Sequence, residues 1–216
     1  MRPIRIPEDE FPTLKGITEL DPEVFDSFLA TLKRATPALR PEEFAQGIKE
    51  GFQRPELLLP ILGTLCALYR LKDAEGITSD EVANAVSSAA ADALTGKQEI
   101  LRERLKLMLE CDASLGVTAK ALDVMTEHEH VFCSARILSD IRPVFAATAE
   151  SASAAVVVHN LQLGFYDGGT GKHREIYIAL DSSDLQELKQ VIVRSEKKNI
   201  ALKSILKESN IPFLEA

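Results

Sequence analysis

The spacing of apolar residues changes period near residue 131, and a chain patterned in this way cannot adopt one uniform architecture. From about Asp21 to His130 apolar residues recur every three or four positions, the period of one helix face. The first helix opens at "DPEVF", where Asp21 is placed to cap free backbone N–H groups and Pro22 suits the first helical position. Val24, Phe25, Phe28, Leu29 and Leu32 then share a face. "RPEEFAQGIKEGF" starts a second helix, and "RPELLLPILGTLCALYRL" is apolar nearly all round, as the central helix of a bundle would be. Gly76 stops that helix and "SDEVANAV" begins the next. Two further helices follow, one over "GKQEILRERLKLMLEC" and one from about Ser114 to Glu127.

Beyond Val131 the period drops towards two. "RILSDIRPVF" reads as a strand that Pro143 confines to a sheet edge or a strand end. In "AAVVVHNLQLGFYDG", Val157, Leu161, Leu163 and Phe165 fall on one face, while Val156 and Val158 line the start of the other. "HREIYIALD" alternates again with Ile176, Ile178 and Leu180 in phase. Two alternating runs joined by a short Gly-rich connection predict a β-hairpin. A helix from about Ser182 to Ser209 closes the chain, with Leu185, Leu188, Ile192, Leu202 and Leu206 near heptad spacing. At about 1.5 Å per residue it reaches roughly 40 Å, longer than the roughly 20 to 30 Å that the strands span. The expected fold is α+β: a helical bundle over 1–130, then three antiparallel strands and a long helix over 131–216.

The connection itself contains "GGTGK", the composition of a phosphate cradle. A P-loop needs a Gly five residues before the Gly-Lys pair and Ser or Thr after the Lys. Here Tyr166 and His173 occupy those positions, and a strand follows where a P-loop has a helix. The run is therefore read as a turn, with Asp167, Gly168, Gly169 and Gly171 supplying positive φ. "TEHEHVFC" gathers His128, His130 and Cys133, residue types that bind zinc or copper; the spacing matches no standard zinc pattern and a fourth ligand is missing, so a structural linker is expected, with a metal- or small-ligand-binding regulatory protein whose site lies here as the alternative. The "DAEGITSDE" stretch lacks the alternating oxygen ligands of a calcium loop. No nucleophile elbow or activated Cys signature occurs, so no enzyme and no cofactor are expected.

A net charge of −8, with basic residues scattered among acids, argues against nucleic-acid binding. Three widely spaced cysteines, Cys66, Cys111 and Cys133, do not form a disulfide framework. "MRPIRIPEDEFPTLKG" holds no apolar run of signal-peptide length, and no stretch is long and apolar enough to span a bilayer. A cytoplasmic protein is expected.

The C-terminal pattern, "RILSDIRPVF", then "VVVHNLQLGFYDGGTGKHREIYIAL", then "DSSDLQELKQVI", resembles the COMM domain, a module of three antiparallel strands and a helix that follows a helical N-terminal domain in that family. The resemblance covers about the last 40% of the chain by length. It departs from the family in one place: the Trp usual in the first strand is absent, and Ile137 or Leu138 stands in that region. The resemblance implies a non-enzymatic scaffold whose C-terminal modules interlock as homodimers or as heterodimers with a related chain. The residues expected at such an interface are Val156, Val158, Leu185, Leu188, Ile192, Leu202 and Leu206.

Overall fold

Prolines punctuate the first half of the chain, and four of them open helices where a missing N–H costs nothing. In the computed structural model, which describes residues 4–147, 150–168 and 171–215, these helices are α1 (Phe11–Glu19), α2 (Pro22–Arg34), α3 (Pro41–Ile48) and α4 (Pro55–Glu75). α5 (Ser79–Ala89), the single turn α6 (Ala91–Leu94), α7 (Gln98–Met108) and α8 (Val117–Thr126) complete the helical part. Three antiparallel strands follow, β1 (His130–Phe145), β2 (Ala152–Asp167) and β3 (His173–Leu180), in the order β1-β2-β3. The chain ends in the 27-residue helix α9 (Ser182–Glu208). The α+β class and the order of elements agree with the sequence pattern. Two compact units result, one made of the described residues up to Val124 together with Leu214 and Glu215, the other spanning Met125–Phe213.

In the first unit α4 is the axis, burying Leu58, Ile61, Leu62, Leu65, Cys66, Leu68 and Tyr69. Around it lie Leu14 and Ile17 of α1, Phe25, Phe28 and Leu32 of α2, and Leu101, Leu105 and Met108 of α7. Helix α1 was not evident in the sequence pattern, because nine residues with Pro12 and Gly16 give little periodic signal. Gly16 lies close against the first turn of α4, where a Cβ would sit 2.9 Å from Leu57 Cδ1. Gly76, at φ +64°, ends α4 in the left-handed conformation that a side chain would resist.

Helix ends account for most of the polar contacts. Thr78 and Glu81 form a reciprocal capping box at the start of α5. Lys72 Nζ donates to Leu109 O (3.2 Å) and to Asp112 Oδ1 (3.0 Å), satisfying the end of α7 before a π turn over Asp112–Gly116. Ser114 Oγ donates to Leu32 O at 2.6 Å, and Thr118 Oγ1 accepts from Ala38 N–H at 3.1 Å, tying that turn to the exit of α2.

One expected cap differs: Asp21 stands at the N-cap of α2, but its side chain accepts no capping hydrogen bond. At α9 the cap is Asp181. Its carboxylate accepts from the N–H groups of Ser183 and Asp184, while Asp184 accepts in return from the Asp181 N–H. A carboxylate has two acceptor oxygens and a full charge for the helix N-terminus, so it outcompetes the neighbouring hydroxyls. The Ser183 hydroxyl, the Asp184 N–H and the Ser183 N–H together hold the Asp181 carboxyl below its ordinary value.

All three cysteines are free. Burial pushes the Cys66 and Cys111 thiols from an ordinary 9.0 up to about 11, with the nearby Glu42 charge adding to the effect at Cys66. Because the folded state holds both in the protonated form, their contribution is complete below about pH 9 and is lost as pH rises through 11. Unfolding midpoints in denaturant should therefore fall between those two pH values. A Cys66→Ala, Cys111→Ala variant should show less of this alkaline loss, and in the native protein both thiols should stay silent to a thiol reagent at pH 8. Leu62→Ala should lower the stability of the helical unit by about 2–5 kcal/mol, read as a reduced denaturation midpoint with an unchanged slope.

Candidate interaction surface

The register of the three strands sorts their side chains onto two unlike faces. Ser139, Ile141 and Ile137 of β1 oppose His159, Val157 and Leu161 of β2. Across the other side, Leu180, Ile178 and Ile176 of β3 oppose His159, Leu161 and Leu163. These residues share one face, because positions two apart along a strand point the same way. It is mostly apolar, with a polar pair at its middle, Ser139 Oγ and His159 Nδ1, 2.7 Å apart, and His130, Asp167 and Arg174 at its turn end. The opposite face carries Arg136 bonded to Gln162 (2.7 Å), Asp140 opposite Val158, Arg142 opposite Val156, and Tyr177 donating to Glu175 (2.7 Å).

Neither face is covered. Within Met125–Phe213, Gly164 is the one buried residue among those described. Ile141 is 73% exposed and Phe132 68%. α9 makes few contacts with β2 and β3 and buries none of its residues. Along it Val191, Ile192, Ile200, Leu202 and Ile205 stand in solvent, Ile200 at 70%. Large contiguous apolar patches are uncommon on monomeric soluble proteins.

The seven residues expected at an interface all lie on this second unit. Leu188, Ile192 and Leu202 are exposed on α9, and Leu185 and Leu206 are half-buried. Val156 and Val158 fall on the polar face of the sheet. The apolar face is instead carried by residues the sequence reading did not assign to an interface, chiefly Ile137, Ile141, Val157, Ile176 and Ile178. Their alternation was visible, but only the β1–β2 register shows that Ile137 and Ile141 join it.

The connection between β2 and β3 is a turn. Asp167 N–H donates to Lys172 O at 3.0 Å, and Gly171 N–H to Asp167 O at 2.7 Å. Among the described glycines of this turn only Gly171 has positive φ, at +65°. Gly168 serves a different purpose from the one expected: its N–H donates to Glu129 O at 2.8 Å, and a Cβ there would lie 2.5 Å from His128 O. Gly169 and Thr170 lie outside the described residues.

The other candidate chemistries do not converge. His130 packs edge-on against the Phe165 ring with centroids 4.3 Å apart, and Cys133 sits at the β1 bulge between Phe132 and Ser134. Among the described residues no three His, Cys, Asp or Glu side chains gather to hold a metal, so the structure does not assemble His128, His130 and Cys133 into a site. Ser139 and His159 adjoin, but the carboxylate after β3, Asp181, is committed to the α9 cap. Nor is any described helix long and apolar enough to cross a membrane. Comparison with known proteins finds no matching family model and no matching curated relative.

The close passage at Gly168 should make it intolerant of any side chain. Gly168→Val should destabilise the hairpin by about 1–3 kcal/mol, measured as earlier loss of β-sheet ellipticity on heating.

Proposed function

We propose that this protein is a non-enzymatic scaffold that associates through residues 125–213, each copy using its α9 to cover the apolar sheet face of a second copy. The observation that carries the reading is the near absence of burial in a unit that has regular strands and a long helix. Three strands need an apolar face packed on something to be stable, and an isolated helix in water is marginal. The helix offers Leu188, Ile192 and Leu202, and the sheet offers Ile137, Ile141, Val157, Leu161 and Ile178. Both are apolar, and the few contacts between α9 and the sheet leave no apolar side chain of either one buried. The COMM-like pattern of the same segment supports this reading, since it implies interlocked pairs of such modules.

The helical unit then displays whatever the assembly presents to other proteins. In this reading the protein is soluble, and its place of work is the cytoplasm.

Light scattering on the purified chain at micromolar concentration should give a mass of two chains. A mass of one chain at that concentration contradicts the proposal. Leu188→Asp or Leu202→Asp should return the protein to one chain, because a carboxylate buried in an apolar contact has no compensating partner. An Asp at Glu208, outside the apolar stripe, should leave the mass at two.

A further inference from the structure

The helical unit holds a cavity of about 240 Å³, lined by residues 4–7, by Glu10 and Leu14 at the start of α1, and by α4 and α5. Leu14, Leu68, Leu71 and Val86 form its apolar walls, and Ile4 and Ile6 pack against the core beside them. Leu14 and Val86 are almost wholly buried, so the walls belong to the core and are held by it.

Three polar residues share this lining: Thr64, Glu10 and Arg5. Thr64 is buried, and its hydroxyl donates to Glu10 Oε2 at 2.6 Å, the shorter of its two contacts, the other being Pro60 O at 3.0 Å. A hydrogen bond to a carboxylate is one of the stronger kind, and it fixes this negative charge beside the apolar walls. An ionised carboxylate accepts about four hydrogen bonds. Among the described residues no other hydrogen bond or ion pair reaches the Glu10 side chain, and Arg5 does not pair with it. One acid and one base therefore line the same apolar space without neutralising each other. A tie between α1 and α4 would need the Thr64 bond alone, neither the open volume nor the second charge.

We infer that this cavity binds a free amino acid with an aliphatic side chain. Its ammonium group bonds to the Glu10 carboxylate, its carboxylate pairs with Arg5, and its side chain enters the space among Leu14, Leu68, Leu71 and Val86. The size agrees. At about 30 Å³ per water the cavity has the volume of about eight waters, close to the roughly nine heavy atoms of leucine or isoleucine. It is smaller than the roughly 300–1,000 Å³ of sites that take drug-sized ligands. The charges select as well. An aliphatic acid would bring a second carboxylate to Glu10, and an aliphatic amine would leave Arg5 without a partner. A hydrocarbon would strip water from Glu10 and replace none of its hydrogen bonds, which is costly. The site lies wholly within the helical unit and does not depend on the proposed self-association.

Methyl-resolved NMR of the full-length protein, titrated to millimolar concentration with L-leucine, L-isoleucine and L-valine in turn, tests it. At least one of them should shift the Leu14, Leu71 and Val86 methyls and leave those of Leu101 and Leu105, on α7, in place. The deaminated and decarboxylated counterparts of the amino acid that binds, 4-methylpentanoate and 3-methylbutylamine in the case of leucine, should each bind at least about tenfold more weakly. Glu10→Gln, which keeps an acceptor for the Thr64 hydroxyl, should weaken the amino acid by at least about tenfold while the rest of the spectrum is unchanged. If none of the three amino acids moves those methyls, the site is overturned. If either counterpart binds as tightly as the amino acid in the unsubstituted protein, recognition of both charged groups is overturned.

Discussion

An apolar face on a sheet has to be removed from water, and in the C-terminal unit nothing within that unit does so. β1 and β2 pair over nearly their whole lengths, which satisfies the backbone, but hydrogen bonding alone contributes little net stability in water. The stabilising term has to come from Ile137, Ile141, Val157, Leu161, Leu163, Ile176 and Ile178. Each is worth about 1.5–3 kcal/mol when taken fully out of solvent. The contrast with the first unit is sharp: there α4 buries one full side, and every buried hydrophobic among the described residues lies between Leu14 and Ala119. One chain thus joins a unit that completes its own core to a unit whose core is only half present.

The polar elements are consistent with this division. In the helical unit Lys72, Ser114 and Thr118 tie helix ends together and fix how the helices pack. In the sheet, charged side chains gather on the face opposite the apolar one, Arg136, Asp140, Arg142 and Glu175 among them. On the apolar face Ser139 pairs with His159 across β1 and β2, and Arg174 pairs with Asp167 at the turn end. Removing that face from water would leave none of these groups without a partner, which is the condition for burying polar atoms cheaply.

Much of this architecture could be read from the sequence, because it rests on local rules. The change from helical to alternating period places the boundary between helices and strands, Gly76 ends α4, and the "DGGTGK" turn marks the hairpin. The long stripe of α9 was equally legible. What could not be read depends on register. Ile137 and Ile141 alternate with serine and charged residues, and only their pairing with Leu161 and Val157 puts them on the apolar face. Val156 and Val158 lie on the opposite face, across from Arg142 and Asp140, a neighbourhood only the register shows. Helix α1 escaped because Pro12, Thr13 and Gly16 dilute its pattern, although Leu14 and Ile17 are among the most buried residues of the protein.

If the C-terminal unit is completed by a second copy, its stability must depend on protein concentration while that of the helical unit need not. Denaturant unfolding, followed by amide exchange probes in β2 and in α4 separately, measures this directly. Raising the protein concentration 100-fold should stabilise the β2 probes by about 2.7 kcal/mol, the mass-action value for a dimer, and should leave α4 unaffected. A β2 midpoint that stays constant over that range would contradict the account, since it would mean that the exposed sheet and helix are stable as one chain.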